Sequence, residues 1–230
     1  MTRPGHVPAG SRRLKVRLKR GKGRSVSSKA WLERQLNDPY VAEAKRRGYR
    51  SRSAFKLIEL DDKYHFLKPG GRVVDLGATP GGWSQVAAER TKAGEGRGKV
   101  IALDIHDMEP VAGVTILKQD FLADGALRLL LEALAGEKAD AVLSDMAAHA
   151  TGHRQTDHLK IMALADAALD FAQSVLKPGG TFVVKVLRGG TERQILERMR
   201  QDFAQVRHVK PKASREDSAE LFVFAQGFRG

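Results

Sequence analysis

The stretch "DLGATPGGWSQ", residues 75–85, follows an apolar run, so a strand ends in a glycine turn with a carboxylate, Asp75, just ahead of Gly77. Glycines placed there let the backbone approach a nucleotide or another phosphate-bearing ligand closely. The dinucleotide pattern G-x-G-x-x-G admits a pyrophosphate at its middle glycine, but the order here is Gly77-Ala78-Thr79-Pro80-Gly81-Gly82. A carboxylate followed by Pro-Gly-Gly suits a cationic, phosphate-free ligand better. Three further apolar runs also end in acids, at Asp104, Asp120 and Asp145. In a parallel sheet all four ends open on the edge where ligands bind, and Asp104 is placed to accept hydrogen bonds from ribose hydroxyls.

A single acid after a strand is ordinarily a helix cap or turn former. Four in register with a glycine turn point to a ligand that carries an ammonium, a ribose, an adenine and a sulfonium, which describes S-adenosylmethionine. Lys185, in "FVVKVL", stands in a strand otherwise of β-branched and aromatic residues. It either faces solvent at the strand end or is buried, and a buried ammonium needs carboxylates nearby. Asp145 and Glu220 are candidates on sheet geometry. "HATGHRQTDH" brings His149, His153 and His158 near Asp157, but the stretch is interrupted by Gly152 and methyl transfer to a ribose needs no metal, so a mobile substrate-side loop is expected and no metal.

The elements that must position these residues are an α/β set. From Gly71 onward, "GRVVDLG", "GKVIALDI", "GVTILKQD", "ADAVLSDM" and "GTFVVKVL" alternate with longer helical stretches, which predicts a mainly parallel sheet covered on both faces. "LKPGG" occurs at residues 67–71 and 176–180, each time before a strand; a Pro-Gly stop after a helix accounts for both. A helix from about Thr191 to Gln201 precedes "FAQVRHV" and "AELFVFAQGF". The short connection between these last two runs allows only antiparallel pairing. Seven strands with a reversed last one are therefore expected. Upstream, residues 28–66 read as two or three helices broken at Asp38-Pro39.

Charge is unevenly placed. Residues 1–56 hold 17 Lys/Arg against 3 Asp/Glu, whereas residues 57–230 hold 23 against 24. Residues 1–28 read as a basic arm unable to bury enough apolar surface to fold alone, and residues 29–230 as the catalytic domain with its N-terminal helices. Attachment to nucleic acid, with release of phosphate counterions, is the expected role of the arm; a solubilising tail or an organelle transit peptide is the alternative. The chain has no cysteine, which excludes disulfides, thiolate metal sites and cysteine nucleophiles and fits a reducing compartment. With no bilayer-length apolar stretch, a soluble, cytoplasmic monomer that engages no membrane is expected.

Together "RSRSAFKL", "DLGATPGGWSQ", "SDMA", "LKPGGTFVVKV" and "SREDSAELFVFA" resemble the FtsJ/RrmJ (RlmE) family of ribosomal RNA 2′-O-ribose methyltransferases, from about residue 35 to the C-terminus. The resemblance implies a class I S-adenosylmethionine-dependent methyltransferase with a Rossmann-like fold. It implies a catalytic Lys56, Asp145, Lys185 and Glu220, and cofactor contacts at Gly81, Trp83, Asp104, Asp120 and Asp145, beside Asp75 and Gly77 of the glycine turn. Trp83, at a helix start, can equally be core. The implied partner is ribosomal RNA, a uridine ribose of the large subunit, within an assembled particle. Transfer RNA, an mRNA cap, or a non-catalytic assembly role are the alternatives. A ribose hydroxyl must lose its proton and attack in line. Free lysine, with a pKa of about 10.4, is mostly protonated at neutral pH, so Lys185 is either the base or a charged donor that positions the hydroxyl. The sequence departs from the family after "SDMA", which ends at Ala147: Ala148-His149 replaces the usual Pro-Asn.

Overall fold

The computed structural model describes residues 26–148, 151–188, 192–216 and 218–230. The basic arm through residue 25 therefore lies outside the described residues, as does His149. Residues 26–28, which the sequence assigns to the arm, already belong to a helix, α1 (Val26–Asn37). α2 (Pro39–Arg47) follows at once, because Asp38 accepts a hydrogen bond from Tyr40 N at 2.9 Å and Pro39 fills the first helical position. It stops at Gly48, whose φ of 75° is left-handed. α3 (Ala54–Tyr64) then packs on the sheet through Phe55, Leu57, Ile58 and Leu60.

The sheet has the expected seven strands: β1 (Arg72–Leu76), β2 (Lys99–Asp104), β3 (Val114–Lys118), β4 (Ala139–Ser144), β5 (Leu176–Leu187), β6 (Phe203–Val209) and β7 (Glu220–Phe228), in the spatial order 3-2-1-4-5-7-6. All neighbours are parallel except β7, which runs antiparallel to both β5 and β6. Helices α4 (Gly82–Thr91), α5 (Ala126–Leu134), α6 (Arg154–Val175) and α7 (Glu192–Asp202) complete the chain. Each sheet face has its own core: α5, α6 and α7 cover Val74, Val142, Phe182, Val184 and Val223, while α3 and α4 cover Val73, Leu143, Val183, Phe222 and Phe224.

Two details differ from the sequence reading. No helix separates β2 from β3; residues 105–113 cross over as an irregular loop, because "IHDMEPVAG" has a proline and no apolar helical stripe. The second "LKPGG" is not wholly outside its strand. Leu176 pairs with Ala139 and Thr181 with Ala141, so residues 177–180 form a register shift within β5. Pro178 and Gly179, the latter at φ 81°, suit that bulge.

Candidate active site

The alternation of side chains along strands decides which residues meet. Lys185 follows Val183 by two and pairs with Phe222 of β7, so it shares the face of α3; Glu220, two before Phe222, shares it as well. Asp145 follows Leu143 on the same face, and its N–H donates to Leu76 O at 3.2 Å. From the covering helix, Lys56 completes the group. Lys185 Nζ stands 3.1 Å from Asp145 Oδ1 and 4.0 Å from Glu220 Oε1, while Lys56 Nζ stands 3.8 Å from Asp145 Oδ2 and 3.5 Å from Glu220 Oε2. Lys185 is 5% exposed and Lys56 8%. Buried ammonium groups persist only when paired, and here two carboxylates alternate with them. Lys185 Nζ also donates to the main-chain oxygen of Asp145 at 2.7 Å, and Lys56 Nζ lies 5.3 Å from the centre of the Phe222 ring.

A cavity of about 560 Å³ opens on one side of this group, at the ends of β1 to β4 and against α6. Four residues expected from the sequence line it: Gly77, Asp104, Asp120 and Asp145. Gly77, at φ 76°, must be glycine, since a Cβ would stand 2.8 Å from Met146 Cα. Asp104 ties the turn down: Thr79 N donates to Oδ2 at 2.9 Å and His106 N to Oδ1 at 2.8 Å. Asp120 accepts from Leu122 N at 3.0 Å. Ile105, Phe121, Leu122 and Leu164 add apolar wall that sequence reasoning did not single out; Ile105 and Leu122 are conspicuous as exposed large apolar residues, a signal visible only once burial is known.

Three expected residues are not on this wall. Trp83 is 2% exposed, donates its indole N–H to Ser53 O at 2.9 Å and packs against Phe222 with ring centres 5.5 Å apart. Its side chain belongs to the core, as a tryptophan facing a packed helix tends to be, and does not line the cavity. Gly81 instead meets Arg50 and Met108. Asp75 is fully buried below the turn, where Ser84 Oγ donates to Oδ2 at 2.6 Å and Oδ1 has no hydrogen-bond partner. Burial above all, with the charges of Asp145 and Asp104 adding, pushes its carboxyl up to about 7 despite the Ser84 bond.

On the other side of the lysines lies a second cavity, of about 410 Å³, lined by Arg34, Gln35, Arg52, Ser53, Lys56, Arg215, Ser218 and Glu220. Three separated segments build it. Asp38 pairs with Arg52 (3.0 Å) and reaches Arg215 (3.9 Å), and Arg52 donates to Ala213 O. Glu59 fixes the same β6–β7 connection by accepting from Lys212 N at 2.6 Å and Ala213 N at 3.1 Å. The sequence reading named none of these arginines for the site. As for the histidine-rich stretch, Asp157 accepts from Thr151 N and Oγ, each at 2.7 Å, and from Gly152 N at 3.2 Å; it ties the preceding segment to the first turn of α6.

The FtsJ-like methyltransferase family model matches residues 49–228. A protein from Parvibaculum lavamentivorans named ribosomal RNA large subunit methyltransferase E is 64% identical, over 96% of this chain and 89% of its own length. Its namesake from Xanthobacter autotrophicus is 58% identical over 100% of this chain and 90% of its own. Among solved structures, a protein described as a ribosomal RNA methyltransferase from Plasmodium falciparum superposes with a TM-score of 0.71 at 34% identity, covering 79% of this chain and 100% of that one. A SAM-dependent O-methyltransferase from Thermotoga maritima, with a TM-score of 0.50 at 18% identity over 79% of this chain and 66% of that one, shares the fold alone. With most of its length matched by the family model and by close relatives, the chain belongs to the FtsJ-like methyltransferase family and has the class I methyltransferase fold.

Proposed function

We propose that this protein transfers the methyl group of S-adenosylmethionine to the 2′-oxygen of a uridine ribose in large-subunit ribosomal RNA, with the RNA already in the assembled subunit. The observation that carries the chemistry is the buried Lys56–Asp145–Lys185–Glu220 group, set between one cavity walled by acids and apolar side chains and another walled by arginines. Ribosomal RNA as substrate is supported by the names of the close relatives; the uridine and the assembled particle follow from the family resemblance.

The first cavity suits the cofactor. Its volume is that of a small-molecule site, Asp104 and Asp120 offer acceptors to a ribose and an adenine, and Ile105, Phe121 and Leu122 offer apolar faces to the base. When bound there, the cofactor supplies a methyl already activated on a sulfonium. The residues of this chain supply position and charge. The acceptor ribose enters from the arginine side, where Arg34, Arg52 and Arg215 suit the flanking phosphates. Lys185 donates to the main-chain oxygen of Asp145 and stands 3.1 Å from Oδ1 as an ion pair, Oδ1 itself having no hydrogen-bond partner, so an N–H donor remains for the ribose oxygen. That donor aligns the hydroxyl and stabilises the negative charge that develops on its oxygen as its proton passes to water. Asp145 and Glu220 keep both lysines in place. Residues 1–28, with nine of the chain's Lys/Arg residues and no acid, extend the phosphate-binding surface.

The test is transfer of labelled methyl from S-adenosylmethionine to protein-free ribosomal RNA, intact large subunits and transfer RNA in parallel, followed by mapping of the modified ribose. Label at the 2′-oxygen of one uridine, with subunits the best acceptor, is expected. Label on a base, or on transfer RNA alone, overturns the reading.

A further inference from the structure

Arg50 lies in the turn between α2 and α3, and the backbone of that turn is fastened to α4. Arg50 N donates to Gln85 Oε1 at 2.9 Å, Gln85 Nε2 donates to Gly48 O at 3.0 Å, and Tyr49 Oη donates to Glu89 Oε2 at 2.8 Å. From this base the Arg50 side chain crosses the glycine turn to the β2–β3 loop. Nη1 donates to Glu109 O at 2.5 Å and Nη2 to Pro110 O at 2.7 Å, with Pro80 O at 3.4 Å from Nη1. Gly81 makes room for the crossing. It has φ 108°, and a Cβ there would stand 3.0 Å from both Arg50 Nη1 and Met108 Sδ.

The loop that Arg50 grips is the one parallel crossover without a helix among the described residues. Parallel connections normally pack through a helix, so residues 105–113 need another means of being held. The near end of the same loop, Ile105 and His106, forms the wall of the cofactor cavity beside Asp104. We propose that Arg50 is a positioning residue for the cofactor: its guanidinium clamps the far end of the β2–β3 loop so that the near end keeps the shape of the S-adenosylmethionine cavity. This rests on the cofactor reading of that cavity. Arginine suits the task because its planar fork reaches two carbonyls at once, which a lysine ammonium does not do in the same geometry. The competing role for a basic side chain here is a contact to RNA.

The experiment is calorimetric titration of the full-length wild type, Arg50→Ala and Arg50→Lys with S-adenosylmethionine in the absence of RNA. Affinity is expected to fall about tenfold in Arg50→Ala, as for loss of well-made hydrogen bonds, with only part recovered in Arg50→Lys. The melting midpoint of the unliganded protein should stay within about 2 °C, and kcat at saturating cofactor within about threefold, so that the loss falls on KM. Unchanged cofactor affinity overturns the proposal, and if ribosomal RNA binding weakens instead, Arg50 is an RNA contact. Should the variants fail to fold, hydrogen exchange of the wild type with and without S-adenosylhomocysteine decides: slowed exchange in residues 48–53 as well as 105–113 supports the clamp, and slowing confined to residues 104–106 overturns it. Failure of the wild type to bind cofactor is distinct, since it removes the reading of the cavity, and the clamp with it, before any substitution is made.

Discussion

The two cavities that meet at the lysine–carboxylate group are built in opposite ways. The cofactor side takes its polar residues from the ends of successive strands, so each contribution is a short local pattern: "DLG", "ALD", "KQD", "LSD". The arginine side takes Arg34 from α1, Arg52 from the turn before α3 and Lys56 from its start, and Arg215 and Glu220 from the connection into β7 and its first residue. Its members are brought together by Asp38 and Glu59, which fasten the β6–β7 connection to the N-terminal helices, by the bond from Arg52 to Ala213 O and by the Lys56–Glu220 pair. A ligand held at strand ends thus leaves its record in motifs, whereas a surface assembled across the chain leaves almost none. Charge differs in the same sense, with acids on one wall and arginines on the other.

The largest expected effect lies where the two sides meet. Lys185→Met should lower kcat by about 10²–10⁴-fold, the range for removal of a positioned proton-handling or oxyanion-stabilising group, while cofactor affinity changes little. Single-turnover methyl transfer with a parallel binding titration checks this. Turnover near that of the wild type would detach the chemistry from the group and leave the two cavities merely adjacent.

On the cofactor side, Asp104→Asn should weaken S-adenosylmethionine binding by about a hundredfold and leave RNA affinity unchanged. The carboxylate accepts from two backbone N–H groups, Thr79 and His106. An asparagine keeps one acceptor and turns an amide donor against the other N–H, so ribose contact and turn geometry are lost together. Equal losses in cofactor and RNA binding would show that the two sides are not separable.

What the sequence made legible follows this division. Five apolar runs and the short connection before β7 gave the sheet, because buried parallel strands leave continuous β-branched runs. Lys185, Asp145 and Glu220 were candidates on the strand pattern, and strand periodicity explains why Lys185 and Glu220 share a face, whereas Lys56 came from the resemblance. The arginine cavity was not legible, since Arg34, Arg52 and Arg215 look like members of ordinary basic segments until the fold brings them together. Trp83 was ambiguous for a similar reason: its position in the turn suggests a ligand, and only the packing of α3 over Phe222 shows it as core.

The buried charges can also be compared. Lys185 is buried in an ion pair with the half-buried carboxylate of Asp145, whereas Asp75 is fully buried, with no ion pair among the described residues and its carboxyl pushed up to about 7. A folded-state pKa above the ordinary carboxylate value means that protonated Asp75 adds stability fully below about pH 4, and that this contribution is lost as pH rises through about 7. Asp75→Asn stays neutral throughout and keeps an acceptor for Ser84. Between pH 5 and pH 8 the stability of the wild type should therefore fall relative to Asp75→Asn, by on the order of 2 kcal/mol. Urea melts of the unliganded proteins at several pH values measure it. Parallel curves would mean that Asp75 is ionised when buried and that the contrast with the paired lysines is false.

The smallest effect belongs to the arginine side. Arg215 is partly exposed and shares Asp38 at 3.9 Å with Arg52, which holds the same carboxylate at 3.0 Å. Losing it leaves Asp38 paired and the connection still held by Glu59, so the fold should tolerate Arg215→Gln. What disappears is one cation next to the acceptor cavity. If it neutralises one phosphate, the log–log salt dependence of RNA binding should become shallower by about 0.7 to 0.9, with affinity at moderate salt reduced a few-fold. S-adenosylmethionine affinity should not move, because no cofactor-cavity residue touches this side chain. Binding titrations with large subunits or ribosomal RNA over a series of salt concentrations give the slope. An unchanged slope would place the phosphates elsewhere, and the arginine wall would then be a structural clamp on the β6–β7 connection with no part in RNA recognition.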